Sequence, residues 1–214
     1  MLRSRFAERE KSPIVRCTPN TQLRKQLRTR RQSLTVDSVL HHSRIVTSLL
    51  MELLTTVEDE YIACYLAQDN EIDLSEFIVL LLQRRTRVCV PVVQGNEMFF
   101  ANYLTTTSMT SNRWGIVEPT NPQLIDLTEI DVVVAPLVAF SNSGRRLGRG
   151  GGYYDRIMKK CEHTLYIGVA HSCQQSNDIE TDDHDIPLDA IVTELGVQVF
   201  QTDKPQLTGL NSAV

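Results

Sequence analysis

No apolar run in the sequence exceeds nine residues, Val132 to Phe140, too short to span a bilayer. No C-x-x-C pair occurs among the five cysteines, Cys17, Cys64, Cys89, Cys161 and Cys173. Such an odd, scattered set suits a reducing compartment, so a cytoplasmic protein is expected. Cys64 and Cys89 lie in strand-like apolar runs and read as small core residues. The opening "MLRSRFAEREKSPIVR" lacks the apolar stretch of a secretory signal. Its arginines would suit a transit peptide, but Glu8 and Glu10 count against one. Excess positive charge is also missing: the net charge is −4, so any anion binding must be local. Tryptophan occurs once, at Trp114, and glycine only 10 times in 214 residues. Five of those glycines fall in one stretch, "GRRLGRGGGYYDR", Gly144 to Arg156, together with four arginines.

What is present is ordinary for a folded domain: 42% hydrophobic and 22% charged residues. Residues 1–19 read as a disordered extension, 20–200 as one α/β domain and 201–214 as a tail. "TQLRKQLRTRRQSL" is expected to be a basic helix, with Leu23 and Leu27 on one face and Arg24, Arg28 and Arg31 on an adjacent stripe. A second helix begins near Thr35 or Asp37, with Val39, Val46, Leu50 and Leu53 at helical spacing. "YIACYLA" and "RVCVPVV" read as strands, Pro91 marking a bulge or an edge. Between them, Asp73 and Glu76 have capping-box spacing for a helix through Gln83. "GNE" should turn the chain into a hairpin with "MFFANYL". "TTTSMTSNRWGIVEPTNPQ" reads as a long loop. The buried strand "DVVVAPLVAF", the glycine loop, a helix from "YYDRIMKKC", and strands from "LYIGVA" and "AIVTELGVQVF" complete the pattern. Alternating strands and helices predict a three-layer α/β/α sandwich around a largely parallel sheet.

Glycines lack a Cβ, so the backbone can take positive φ and approach a ligand closely. Placed between a strand and a helix, they turn N–H groups toward one point, which suits a phosphate. Gly151 is expected to be one of the positive-φ positions. Arg145, Arg146 and Arg149 would add mobile charge at the rim, and Tyr153 and Tyr154 could stack on a heterocycle. The loop is neither a Walker A sequence, lacking G-K-[ST], nor G-x-G-x-x-G with a following acidic residue. Asp155 next to such a cradle suggests Mg²⁺. The plain alternative is an acidic residue in the first helical turn.

The stretch resembles the signature of the 5-formyltetrahydrofolate cyclo-ligase family. "LRKQLRTRR", "YLAQDNEID", "RVCVPVV", "NRWGIVEP", "DVVVAPLVAF" and "DIPLDAIVT" occur in that family's order, covering about residues 20–200. The resemblance implies conversion of 5-formyltetrahydrofolate to 5,10-methenyltetrahydrofolate with ATP and Mg²⁺. It implies ATP contacts from Arg24 and from Arg146, Leu147, Gly148, Arg149, Gly150, Gly151, Gly152, Tyr153 and Tyr154. The family usually has lysine where this chain has Asn20, so that phosphate contact is weakened here. Folate contacts are implied for Leu66, Glu71, Trp114 and the overlapping segment Arg149 to Tyr153, with Arg149 and Tyr153 at the reacting groups. Asp155 and Asp185 would hold Mg²⁺, leaving Glu180, Asp182 and Asp183 as solvated neighbours.

Three other readings have a basis in the residues. Five of the eight residues from Arg24 to Arg31 are basic, which could track a nucleic acid. The acidic net charge and the lack of interleaved aromatics oppose this. Cys161, His163, His171 and Cys173 have zinc-ligand types, but "LYIGVA" as a strand would separate the pairs by about 20 Å. A generic nucleotide- or sugar-phosphate-binding module would share the layout without the ligase activity. The expectation is therefore a monomer with small-molecule partners, and neither nucleic acid nor membrane.

Overall fold

The computed structural model describes residues 19–55, 61–112, 115–161, 163–180, 186–200, 204 and 207. Most of the expected N-terminal extension and C-terminal tail therefore lies outside the described residues. The chain opens with helices α1 (Pro19–Gln32) and α2 (Val36–Leu53). α2 starts where the sequence indicates, because the Thr35 hydroxyl accepts the Ser38 N–H at 3.1 Å. Strand β1 (Tyr61–Cys64) leads to α3 (Ser75–Gln83). The expected capping box is not used there. Asp73 accepts from the N–H and hydroxyl of Ser75, and Leu74 at the helix start offers no side-chain cap.

Strands β2 (Arg87–Gln94) and β3 (Glu97–Tyr103) form the predicted hairpin. Pro91 sits beyond the end of β1, which pairs with β2 only at Arg87 to Cys89, so one flank of the proline is free of a parallel partner. The stretch read as a long loop contains a small ribbon, β4 (Met109–Ser111) with β5 (Val117–Pro119). Its polar composition hides the pairing. β6 (Leu124–Ile125) then joins the outer edge of β3.

The buried run becomes β7 (Ile130–Pro136), followed by a ribbon of β8 (Ala139–Phe140) and β9 (Arg146–Leu147). After the glycine loop come α4 (Tyr153–Met158), β10 (Leu165–Val169), β11 (Ala190–Thr193) and β12 (Gly196–Val199).

The main sheet runs β12-β11-β10-β7-β1-β2-β3-β6. Its centre, from β11 to β2, is parallel, and both edges are antiparallel. Side chains alternate between two cores. Ile62, Cys64, Val132, Val134, Leu165 and Ile167 pack under α2 and α3 with Val46, Leu50 and Phe77. Ala63, Cys89, Val133, Tyr166 and Ile191 pack with Ile157 and Met158 of α4. This is the expected three-layer arrangement, with one thin helical layer. Cys64 and Cys89 are core residues; burial pushes both thiols well above their ordinary range. α1 stands apart, pressing Leu23 and Leu27 against Val138, Ala139, Leu147 and Ile179. Among the described residues, no helix is long and apolar enough to cross a membrane.

Candidate active site

The chain leaves β1 toward β2 on one side and leaves β7 toward β10 on the other. Adjacent strands with opposite connections open a crevice at their carboxyl ends, where α/β sheets bind ligands. Two segments flank this crevice: residues 65–74 after β1, and residues 137–152 after β7.

The first segment is tied by charge. Asp69 and Asn70 both take left-handed φ of 56°, a conformation that persists where surroundings enforce it. Arg31 supplies much of that enforcement. Its Nε donates to the Asp69 carbonyl at 2.9 Å and its Nη2 to the Asp69 carboxylate at 3.0 Å. Nη1 reaches Glu71 and the Leu137 carbonyl, each at 3.4 Å. Arg31 is only 1% exposed. Of the expected cationic stripe on α1, Arg31 is turned inward, while Arg28 stays exposed and bonds to Asp69 from outside. Burial opposes ionisation of Asp69, but hydrogen bonds from Gln32, Arg28 and Arg31 outweigh it and hold the carboxyl below its ordinary value. Glu71 is buried too. Its carboxylate accepts the Gln68 N–H at 3.1 Å and Arg149 Nη2 at 2.8 Å.

The second segment is the glycine loop. Gly150 has φ of 103° and Gly152 of 64°. Gly151 is not a positive-φ position, contrary to expectation; a Cβ there would instead lie 2.9 Å from the Tyr153 ring. Arg146 is not a mobile rim cation either. It is buried and bonded through Nη2 to Asp155, its guanidinium lies 5.6 Å from the Tyr154 ring centre, and among the described residues its Nε has no hydrogen-bond partner. Burial, reinforced by Glu71, pushes the Tyr154 hydroxyl above its ordinary range. Arg24 Nε donates to the Gly148 carbonyl at 2.8 Å, so α1 leans its cations onto the loop.

Two depressions meet here. One is an apolar cleft walled by Tyr65, Leu66, Val93, Met98 and Val117, with Glu71, the glycine loop and Asp155 at its polar end. The other is a cationic groove between α1 and the loop, lined by Arg24, Lys25, Arg28 and Arg31. Arg149 lines both.

The structure gathers Leu66, Glu71, Arg146, Tyr153, Tyr154, Asp155 and the glycines Gly148, Gly151 and Gly152 around the cleft, and Arg24 around the groove. Three other expected residues do not line either depression. Gly150 stays in the loop beside the Arg24 guanidinium, 3.9 Å from where its Cβ would be. Asn20 exchanges hydrogen bonds with the main chain of Glu180. Leu147 buries its side chain under α1. Trp114, Asp182, Asp183 and Asp185 lie outside the described residues. Cys161 and Cys173 flank opposite ends of β10, so the four-residue zinc set does not assemble. Sequence reasoning missed the inward role of Arg31, Gln68 and, apart from Leu66, the apolar walls. Only the acidic pair Asp69 and Glu71 hinted that an arginine could be needed inside.

A model of the 5-formyltetrahydrofolate cyclo-ligase family matches residues 17–194. The chain belongs to that family. The cyclo-ligase of Haemophilus influenzae is 36% identical over 180 residues, covering 79% of this chain and 96% of the relative. That of Escherichia coli K12 is 33% identical over 174 residues, covering 78% and 96%. Among solved structures, the 5,10-methenyltetrahydrofolate synthetase of Aquifex aeolicus superimposes with a TM-score of 0.77 at 30% identity, covering 86% of this chain and 94% of that one. The synthetase of Mycoplasma pneumoniae gives 0.70 at 26% identity, covering 82% and 98%. Both solved structures share the α/β architecture, so this cyclo-ligase family member carries its cleft and groove on the family fold.

Proposed function

We propose that the protein converts 5-formyltetrahydrofolate to 5,10-methenyltetrahydrofolate, with ATP as the phosphoryl donor. The observation that carries this reading is the position of Arg149, shared between an apolar cleft and a cationic groove. A flat heterocyclic substrate suits the cleft and a polyphosphate suits the groove, so their reacting ends would meet at this side chain. Leu66 would pack on the folate, and the Glu71 carboxylate would accept from a donor edge of the pterin. The N–H groups of Gly148 to Gly152, with Arg24, Arg146 and Tyr154, would hold the phosphates.

An N-formyl amide is a poor electrophile. Its nitrogen delocalises into the carbonyl, and oxide is a poor leaving group. Transfer of the γ-phosphoryl group to the formyl oxygen, with ADP leaving, makes the carbon cationic. N10 attacks that carbon, loses its proton, and phosphate departs. The protein supplies no nucleophile in this scheme. It holds the reactants in line and neutralises charge, with Arg149 and Tyr153 nearest the transfer.

The chemistry of Asp155 suits Mg²⁺, which would share that carboxylate with Arg146. Asp155 is part-exposed beside the cradle, and this ion takes one or two carboxylates and completes its shell with waters and phosphates. Asp155, with Asp185, would hold it, and it would supply charge neutralisation on the phosphates.

Mixing the protein with ATP, Mg²⁺ and 5-formyltetrahydrofolate should produce the methenyl chromophore. A folded, ATP-binding sample that gives none would refute the activity.

Arg24→Ala should raise the KM for ATP roughly tenfold to a hundredfold, the worth of a charge-assisted contact, with a smaller effect on the folate KM. Steady-state titration of each substrate checks this, and an unchanged KM for ATP removes Arg24 from the site. Asp155→Asn should raise the Mg²⁺ concentration for half-maximal turnover by roughly tenfold or more. A Mg²⁺ titration at saturating ATP measures it.

A further inference from the structure

Among the described residues, three ligand types meet in one place outside the cleft: His42 of α2, His171 just after β10, and Glu194 after β11. Their donor atoms all lie within 4.8 Å of one another. His171 is fully buried, and its Nε2 lies 3.0 Å from the Asn70 carbonyl. A carbonyl only accepts, so Nε2 carries the proton and Nδ1 presents a bare lone pair. That Nδ1 is 2.9 Å from Nδ1 of His42. The Glu194 carboxylate approaches His42 Nδ1 to 3.8 Å and is anchored by the Ser172 N–H at 2.9 Å.

We propose that His42 Nδ1, His171 Nδ1 and the Glu194 carboxylate form a binding site for a divalent first-row transition metal ion, separate from any Mg²⁺ at the glycine loop.

Three features carry the assignment. Nitrogens about 2.0–2.1 Å from a tetrahedral ion lie about 3.3 Å apart, so the hydrogen-bonded imidazole pair at 2.9 Å needs to open by only about 0.4 Å to take adjacent ligand places. The Asn70 carbonyl fixes the His171 tautomer from outside, as the second shell of a metal-bound histidine does. The ligand set, two imidazoles and one carboxylate, favours ions of the Zn²⁺ and Co²⁺ class over Mg²⁺. Without metal, the two rings share one proton between their Nδ1 atoms; on binding, the His42 proton moves to its Nε2. The ion would clamp α2 to the ends of two strands and, through His171, to Asn70, the neighbour of Glu71.

The test uses the full chain stripped with a chelator, then titrated with Zn²⁺ in competition with a chromophoric chelator, and with Co²⁺ by absorption. The expected result is about one equivalent bound. His42→Ala and Glu194→Gln should each weaken uptake by about tenfold or more, while His41→Ala leaves it unchanged. Buried His171 is left intact to preserve folding. Should either variant fail to fold, ring-nitrogen NMR of the parent protein decides, with Zn²⁺ expected to shift both Nδ1 signals of His42 and His171. No uptake by the parent, equal uptake by the folded variants, or shifts confined to other histidines would overturn the site.

Discussion

Gly150→Val is expected to abolish turnover while leaving the melting temperature close to that of the parent. Its φ of 103° lies where L side chains rarely go, and a β-branched residue is the least tolerant. Space is not the obstacle, since the nearest atoms to an added Cβ are those of the Arg24 guanidinium at 3.9 Å. The backbone would have to reroute, at a strain of about 1–3 kcal/mol if it did not, and its N–H groups would no longer converge. A cradle disturbed in this way should lose at least roughly a hundredfold in kcat/KM, equivalent to about 2.7 kcal/mol. Gly150 is exposed, so the core is untouched. Gly151→Ala separates the causes: its φ is not in the left-handed range, so any loss there comes from the Cβ displacing the Tyr153 ring, 2.9 Å away, and should be smaller than that of Gly150→Val. Circular dichroism and steady-state kinetics on both variants check the pair. Parent-like kcat/KM in Gly150→Val would make the loop a surface turn.

Arg31→Ala should destabilise the protein most. The guanidinium bridges two acids from the protein interior, and removing one partner of a buried ion pair typically costs about 3–5 kcal/mol. For a chain of this size that is a fall in Tm of roughly 6–20 °C. The 65–74 segment would lose its buried anchor, keeping only the outer bonds from Arg28 and Gln32 to Asp69, and among the described residues Glu71 would rest on Arg149 and Gln68. The folate KM should therefore rise more than the ATP KM. Acidity gives a second readout. The folded pKa of Asp69 lies below its unfolded value, so its contribution is complete above the unfolded value of about 3.9 and disappears as pH falls through the folded one. The parent should lose stability in that window more steeply than Arg31→Ala. Matching melting curves for the two proteins would show that the buried arginine is not a brace.

Much of the fold is legible because its signals are local. Continuous apolar runs mark the central strands, Thr35 marks a helix start, and "GNE" marks a hairpin. The glycine loop is legible for the same reason, since its composition is the signal. What fails is what depends on distant partners. Arg31 looks like one more surface cation because its acids lie 38 and 40 residues away. Asn20 looks like a displaced phosphate contact, yet it is taken up by Glu180, 160 residues distant. The imidazole pair is separated by 129 residues. Gly151 shows a finer limit: three consecutive glycines show that the backbone turns, but not which of them takes the turn.

The opposite connections of the parallel neighbours β1 and β7 give the crevice a built-in gauge. Its two flanking loops are rooted on neighbouring strands, paired from Tyr61 to Cys64 against Ile130 to Val134. Hydrogen-bonded strands hold a separation of about 4.7–4.9 Å whatever side chains they carry. The opening between the loops is therefore referenced to main-chain geometry. Substitutions within the two cores can loosen the whole domain before they change that opening, whereas one extra residue at either root would shift it at once.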